Sequence, residues 1–310
     1  MQTVDLSTTH ERYIDRLAAL VAEVPWSLYD AGVPEALRAR LPVGARVSRG
    51  GGVYRLAFAL LALLGASGHS LRFDLLCGAN RCFGLPDPLA STASGTYSRA
   101  SRFLETTGLW RVHVAAFAYR HVTFVQLTPA GDELLAEEGL SVLDSDWDRV
   151  VASHRGAQDG GQQEHTAAIC MFLHHARIRG YTALACPTGD FGRAEPDALI
   201  ALNGQPYFVE VQGRGGSWPQ LRQKWRNQLD LQGFVAVCAR APGQLARYIN
   251  NAQTHAQAPL GLGTDLATLA DQPNLWSHRW LTPYMPFEEI GATPGLTLPA
   301  DRLAAWRPQA

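Results

Sequence analysis

The chain has 310 residues and a net charge of −1, and 46% of its residues are hydrophobic. This length allows two ordinary domains, and the composition is typical of globular proteins and excludes disorder as the main state. The longest apolar stretch, residues 56–64, is about half of the ~20 residues that a membrane helix needs, and early acidic residues argue against a signal peptide. We therefore expect no membrane partner. Five scattered cysteines without a CxxC pair indicate reduced thiols, which are typical of a cytoplasmic protein.

The net charge is an average over two regions of opposite sign. Residues 35–125 contain eleven arginines and four acidic residues, whereas residues 126–164 contain nine acidic residues and two arginines. A basic region of this kind favours a nucleic-acid partner, and the acidic region that follows is typical of a connector.

The first half is predicted to be mainly helical, with a hairpin near its end. Apolar spacing, glycine breaks and strand-like alternation indicate the elements, and threonine followed by proline at 128–129 is a typical helix start. The predicted helices cover residues 8–24, 53–66, 71–78, 94–107 and 128–135, and the hairpin covers residues 109–127. A glycine-rich break at Gly50-Gly51-Gly52 is expected to precede the second helix.

Three helices, a hairpin and a closing helix form the order of a winged helix. The segments LWRVHV and VTFVQLTPAGDELL resemble the wing and exit of winged-helix regulators, and the resemblance covers about residues 50–140. It implies a DNA-binding domain at residues 1–145, with an N-terminal helical extension. The third helix of such a domain meets the major groove, and the hairpin forms the wing. The residues expected to contact DNA are Tyr97, Ser98, Arg99 and Arg102 on the helix, and Arg111, Arg120 and His121 on the wing.

The second half is predicted to be an α/β domain over residues 162–310, after an acidic linker at residues 146–161. Helices alternate with strands, and this order is typical of a sheet covered by helices. The expected helices cover residues 162–179, 217–231 and 244–257, and the expected strands and hairpin cover residues 182–187, 197–212, 234–239 and 275–281.

A hairpin turn at Asn203-Gly204 sets the register of two strands. This dipeptide favours a type I′ turn, because both central residues need positive φ. Leu202 then pairs with Gln205, and the same register places Asp197 opposite Glu210 with Gln212 on the same face. Two adjacent carboxylates repel unless a divalent cation lies between them. The sequence therefore predicts a Mg²⁺ (or Mn²⁺) site at this hairpin.

These residues resemble the motifs of the PD-(D/E)XK nuclease superfamily. Pro196-Asp197 is similar to the first motif, Glu210-Val211-Gln212 to an ExQ variant of the second, and Glu164 to an additional acid on the preceding helix. The resemblance implies that Asp197, Glu210 and the Val211 carbonyl bind the metal, and that residue 212 positions the attacking water. Glutamine lacks the positive charge of the usual lysine at this position.

Lys224 is the only lysine in the chain, against twenty-six arginines, and it lies on the helix after the motif. A compact ammonium is not interchangeable with a guanidinium, so Lys224 is a candidate for the missing charge. The wider layout also resembles the replication-relaxation family of plasmid and mobile-element proteins over about residues 50–240. The matching residues are His165, Pro196-Asp197-Ala198, Glu210 and Lys224. His165 is expected either to orient a DNA phosphate or to serve helix packing.

The fold class expected from these features is α/β, with a mainly α winged-helix domain and a PD-(D/E)XK-like mixed sheet flanked by helices. We expect a DNA-binding protein of plasmid or mobile-element type with a Mg²⁺-dependent endonuclease or nickase site. In that role Gln212 and Lys224 orient water and stabilise developing charge. The alternatives left open are a non-catalytic DNA-binding regulator, which Gln212 favours, and a protein adaptor in replication or partition without DNA affinity. DNA is the expected partner, and a homodimer is left open.

Overall fold

The computed structural model describes residues 6–21, 37, 39–40, 47–83, 94–117, 120–154, 160–187, 191, 193–202, 205–212 and 217–281. These residues fall into two compact units, one built mainly from His10–Ala115 and His121–Asp148, the other mainly from Arg149 onward. The predicted domain boundary after residue 145 lies close to this division. The fold is α/β, with one two-stranded and one mixed six-stranded sheet over the described residues. Within these ranges no helix has both the length and the apolar character required to cross a membrane.

The first unit contains a group of helices, a two-stranded hairpin and a short closing helix. The elements are α1 (Leu6–Ala19), α2 (Val47–Ser67), α3 (Arg72–Phe83), α4 (Ser94–Thr106), β1 (Trp110–Phe117), β2 (Arg120–Leu127) and α5 (Pro129–Glu137). As predicted, α5 begins after Thr128, whose side chain accepts a hydrogen bond from the Gly131 N–H. The predicted break at Gly50-Gly51-Gly52 lies inside α2 instead, because the apolar turns that follow bury the helix and outweigh the low helix propensity of glycine.

A further helix, α6 (Asp146–Ser153), occupies half of the stretch that was predicted to be a linker. Its Trp147 and Val150 side chains are buried, and Asp148 accepts hydrogen bonds from the backbone and hydroxyl of Ser145. The acidic residues suggested a solvated connector, but two buried apolar side chains three positions apart are sufficient to hold one helical face against the protein.

The second unit is a mixed sheet with helices on both faces. The elements are α7 (Gly160–Ile178), β3 (Thr182–Ala185), β4 (Ala198–Leu202), β5 (Gln205–Gln212), α8 (Trp218–Gln232), β6 (Val235–Ala239), α9 (Pro242–His255), β7 (Leu260–Asp265) and β8 (His278–Leu281). The strands follow one another across the sheet in chain order. Strands β5, β6 and β7 run parallel to one another, and the other three pairings are antiparallel.

Alternation along β5 assigns its side chains to the two faces. Val209 and Val211 pack in the same core as Phe172 of α7, whereas Phe208 packs with Leu231 of α8. Glu210 shares the parity of Phe208, so it faces the layer of α8 at the end of the strand.

The predicted hairpin register is confirmed by the strand pairing. Leu202 pairs with Gln205, and the ladder continues to the pair of Ala198 and Val209. The turn residues 203–204 lie outside the described residues. Asp197 lies one residue beyond the ladder. Its side chain meets Val211 of β5, and its backbone carbonyl accepts a hydrogen bond from the Cys186 N–H, one residue beyond β3.

Strand β7 was not predicted from the sequence. It contains Gly261 and Gly263, and glycine weakens the signal of a strand. A Cβ atom at Gly261 would lie 1.9 Å from the Trp280 ring of β8, so the indole packs directly on the glycine backbone. The glycine is therefore required by tertiary packing.

Candidate functional site

The centre of the candidate site is Asp197, whose side chain is completely buried. Its Oδ2 accepts a hydrogen bond of 2.8 Å from the Val211 backbone N–H, which fixes the orientation of the carboxylate. Its Oδ1 has no hydrogen-bond partner. Two imidazole nitrogens lie close to that oxygen, His154 Nε2 at 3.3 Å and His165 Nε2 at 3.4 Å, but neither meets it in hydrogen-bond geometry.

The two histidines come from separate elements. His154 follows α6, and His165 lies in the second turn of α7; their Nε2 atoms are 3.3 Å apart. His154 Nδ1 lies 3.0 Å from the Val150 carbonyl oxygen, so that nitrogen carries the proton and donates it. Together with Asp197 they form a group of three potential metal ligands.

Glu210 and Lys224 form an ion pair beside Asp197. The Lys224 ammonium donates a hydrogen bond of 2.6 Å to Glu210 Oε2, and the Gln212 side-chain amide donates to the same oxygen over 3.4 Å. The Glu210 side chain is 4% exposed and the Lys224 side chain is 40% exposed. The carboxylate therefore lies at the floor of the site, and the ammonium reaches it from the rim.

The charges of the site change the protonation of its members. Burial raises the pKa of Glu210 to about 7, with a further contribution from the negative charge of Asp197. Burial also acts to raise the pKa of Asp197, but Lys224 and the two histidines outweigh it and hold that pKa well below its usual range. The Asp197 carboxylate at 3.3 Å, with the Cys186 thiol, raises the pKa of His154 above its usual value against the effect of burial. In the metal-free protein at neutral pH, an ionised Asp197 thus faces a protonated His154.

The other residues predicted for this site occupy different positions. Glu164 precedes His165 on α7 and forms an ion pair of 3.0 Å with Arg240, on a surface where both side chains are 39% exposed. Val211 contributes its N–H to Asp197, and its side chain is buried. The structure thus brings together Asp197, Glu210, Gln212 and Lys224, with Glu164 directed to a different partner.

The residues predicted to contact DNA lie mostly on the surface of the first unit. Ser98, Arg99 and Arg102 are exposed on α4, and Arg111 and His121 are exposed on the hairpin. Tyr97 is buried, and its hydroxyl donates to Asn80. The Arg120 side chain lies outside the described part of the chain. His165 belongs to the Asp197 cluster in the second unit.

His154 is the site residue that sequence reasoning missed. It lies within the stretch predicted to be a linker, eleven residues before His165, and that spacing matches no local ligand pattern. The pairing depends on the ends of α6 and α7 meeting beside β4, which no local sequence signal encodes.

Comparison of the chain with protein-family models, with curated proteins and with solved structures finds no match. The chain has an α/β fold. Its second unit gathers two carboxylates, two imidazoles and one ammonium at one end of a mixed sheet.

Proposed function

We propose that the chain is a metal-dependent DNA endonuclease or nickase of plasmid or mobile-element type. In this proposal the second unit hydrolyses the phosphodiester and the first unit binds DNA as a winged helix. The observation that carries the proposal is the pair of buried carboxylates, Asp197 and Glu210, with the Lys224 ammonium held at 2.6 Å from one of them. Buried acids and a cation with displaced pKa values, gathered at a partly open rim, are typical of sites that perform chemistry.

The residues fit a divalent metal. Asp197 retains a buried oxygen without a hydrogen bond, and such an oxygen is costly unless a cation or a donor meets it. A bound Mg²⁺ or Mn²⁺ would supply positive charge to the scissile phosphate. The Val211 N–H supports this role, because it holds the carboxylate in one orientation.

Lys224 and Gln212 are the groups of this chain that would act on the phosphate. The Lys224 side chain is 40% exposed and its ammonium stays charged, so it can stabilise negative charge that develops on the phosphate oxygens. Gln212 is an uncharged donor that orients its neighbours by hydrogen bonds. Glu210, with a pKa of about 7, can accept and release a proton near neutral pH.

DNA binding by the first unit is supported by charge and exposure. Arg99 and Arg102 project from α4 on the same exposed side, and Arg111 lies on the adjoining hairpin. Guanidinium groups on a helix followed by a hairpin suit phosphate contacts on both sides of a groove.

A second candidate function is a regulator that binds DNA without cleaving it. The observation that favours it is the ion pair between Lys224 and Glu210, because the ammonium already neutralises the carboxylate that the metal would need. Gln212 favours it as well, since glutamine supplies no second charge.

Cleavage of supercoiled plasmid by the full chain, with Mg²⁺ or Mn²⁺ and with EDTA, tests the proposal. We expect nicked or linear product only with metal, and no product from Asp197→Asn or Glu210→Gln. Glu164→Gln is the matched control, because it neutralises a nearby acid outside the cluster, and it should retain activity. Absence of cleavage on supercoiled, linear, single-stranded and branched DNA would favour the regulator if the chain shifts DNA in a gel, and the adaptor if it does not.

A further inference from the structure

We propose that His154, His165 and Asp197 form a tetrahedral site for a late transition-metal ion such as Zn²⁺, with the fourth position open. This inference deepens the proposed function, on which it rests only for the chemical role of the metal. It names the ligands, and it changes the expected ion from Mg²⁺ to one that prefers nitrogen ligands. Metal binding is measurable without DNA, so the two proposals can fail separately.

The three donor atoms form a nearly equilateral triangle. Its edges are 3.3 Å from His154 Nε2 to Asp197 Oδ1, 3.4 Å from His165 Nε2 to the same oxygen, and 3.3 Å between the two nitrogens. In a tetrahedral complex the edge is about 1.6 times the bond length, so Zn²⁺ bonds of ~2.0–2.1 Å require edges of about 3.3–3.4 Å. An octahedral Mg²⁺ with bonds of ~2.0–2.1 Å would require adjacent donors about 2.9 Å apart. The triangle thus has the size of one face of a zinc tetrahedron.

The orientation of the donors also indicates a shared ion. Asp197 Oδ1 is buried and lacks a hydrogen bond, although two imidazole nitrogens lie within 3.4 Å of it. The two Nε2 atoms lie at hydrogen-bond distance from one another, and an ion held by all three donors would replace that contact. Three donor atoms that converge within 3.4 Å, one of them a buried carboxylate oxygen without a hydrogen bond, form a group that a shared ion would satisfy.

Groups behind the ligands fix the orientation of two of them, and a metal ion would displace the proton from His154. The Val150 carbonyl oxygen lies 3.0 Å from His154 Nδ1, so in the neutral ring the proton stays there and Nε2 presents its lone pair. The Val211 N–H holds Asp197 Oδ2 and leaves Oδ1 as the ligand. Histidines and carboxylates in metal sites are commonly supported in this manner.

The donor set and the exposure of the site define the class of ion and its access. Two imidazoles with one carboxylate suit Zn²⁺ and its neighbours, whereas Mg²⁺ prefers oxygen donors. Three protein ligands with an open fourth position are characteristic of catalytic rather than structural zinc sites. The His154 and His165 side chains are 30% and 21% exposed, so the open position can be reached from solvent.

Titration of the EDTA-treated full chain with Co²⁺, followed by visible absorption, tests the inference. We expect one equivalent to bind with the intense bands of tetrahedral Co²⁺, Zn²⁺ to displace it, and millimolar Mg²⁺ to leave it in place. His154→Gln, His165→Gln and Asp197→Asn should each weaken binding by at least about 10–100-fold, since loss of supporting groups alone has effects of that size. His174→Gln, on the same helix α7 but outside the cluster, should bind as the unaltered chain does.

Three results would overturn the inference: no stoichiometric binding, a weak octahedral spectrum, or equal loss of affinity in His174→Gln. Circular dichroism of each variant distinguishes loss of a ligand from loss of fold. Asp197→Asn keeps an oxygen acceptor for Val211, so it should stay folded. Tetrahedral binding without any DNA cleavage would reject the nuclease proposal and leave this site standing, whereas Mg²⁺-supported cleavage without Co²⁺ binding would do the reverse.

Discussion

The Lys224 ammonium donates a hydrogen bond of 2.6 Å to Glu210 Oε2, although the carboxylate that it meets is almost fully buried. Asp197, a second buried acid, lies beside this pair and contributes to the raised pKa of both Glu210 and Lys224. Lys224, together with the histidines that face Asp197, thus allows two acids to share one end of the sheet. We therefore expect this ion pair to affect both the free energy of unfolding of the second unit and the proposed cleavage reaction.

Lys224→Met should destabilise the metal-free protein by about 2 kcal/mol at pH 8. Breaking a fully buried ion pair costs about 3–5 kcal/mol, and the partial exposure of Lys224 reduces that cost. Urea denaturation in EDTA measures the effect. Lys224→Arg keeps the charge with a different geometry and should lose less. Equal stability of Lys224→Met and the unaltered chain would show that the pair contributes nothing.

Glu210→Gln should gain stability relative to the unaltered chain as the pH rises. The pKa of Glu210 is raised from an ordinary value of 4.5 to about 7, so folding favours its protonated form. Below pH 4.5 the group is protonated in both states and contributes nothing. Between pH 4.5 and 7 the native state holds more protons than the unfolded state, so stability falls with pH. Denaturation of both proteins in EDTA at pH 4.5 and 8 measures the difference, and a difference that is the same at both values contradicts the prediction.

Gln212→Lys should increase the rate of metal-dependent plasmid cleavage. The substitution places a positive charge two residues after Glu210, and a cation there can stabilise negative charge that develops on the phosphate. Initial rates at saturating metal measure the effect. Gln212→Met, similar in length but uncharged, is the control. If the lysine variant is no faster than the methionine variant, charge at this position does not assist the reaction.

Arg99→Ala and Arg102→Ala should each weaken DNA binding by the full chain and make it less sensitive to salt. Both side chains are exposed on α4, and each lost phosphate contact should lower the slope of log affinity against log salt by about 0.9. Fluorescence anisotropy in EDTA from low to moderate salt gives affinity and slope. Arg81→Ala is a matched control, because Arg81 is already paired with Glu11 and Asp15. Unchanged slopes in both α4 variants would place the DNA surface elsewhere.

Gly261→Ala should destabilise the second unit by about 2–3 kcal/mol. The added Cβ would lie 1.9 Å from the Trp280 ring, and overpacking of this kind forces the indole and the strand apart. Gly243→Ala in α9 is the control, since a Cβ there meets nothing within 4 Å and should be neutral or slightly stabilising. Thermal and urea denaturation distinguish the two. Similar stability of both variants would mean that β7 and β8 adjust without cost.

Local sequence patterns predicted the features that depend on turn preferences and on side-chain alternation over a few residues. The Asn203-Gly204 dipeptide predicted the register of β4 and β5, because a two-residue turn leaves one way to pair the strands. Strand alternation then placed Glu210 and Gln212 on one face. Composition alone singled out Lys224 as the only lysine of the chain, and its ammonium does form a hydrogen bond with Glu210.

Tertiary structure decided the features that depend on distant parts of the chain. His154 and His165 meet Asp197 only because the end of α6 and the first turns of α7 lie beside β4, and no periodicity records that approach. Strand β7 lacked a local signal because its glycines are set by packing: Gly261 lies against the Trp280 ring, and Gly263 lies against Leu245 of α9. Backbone dihedral preferences and side-chain periodicity act over a few residues, whereas a site built from three elements depends on how their buried faces pack. The sequence alone therefore predicted the carboxylates, and only the folded chain showed the imidazoles that meet one of them.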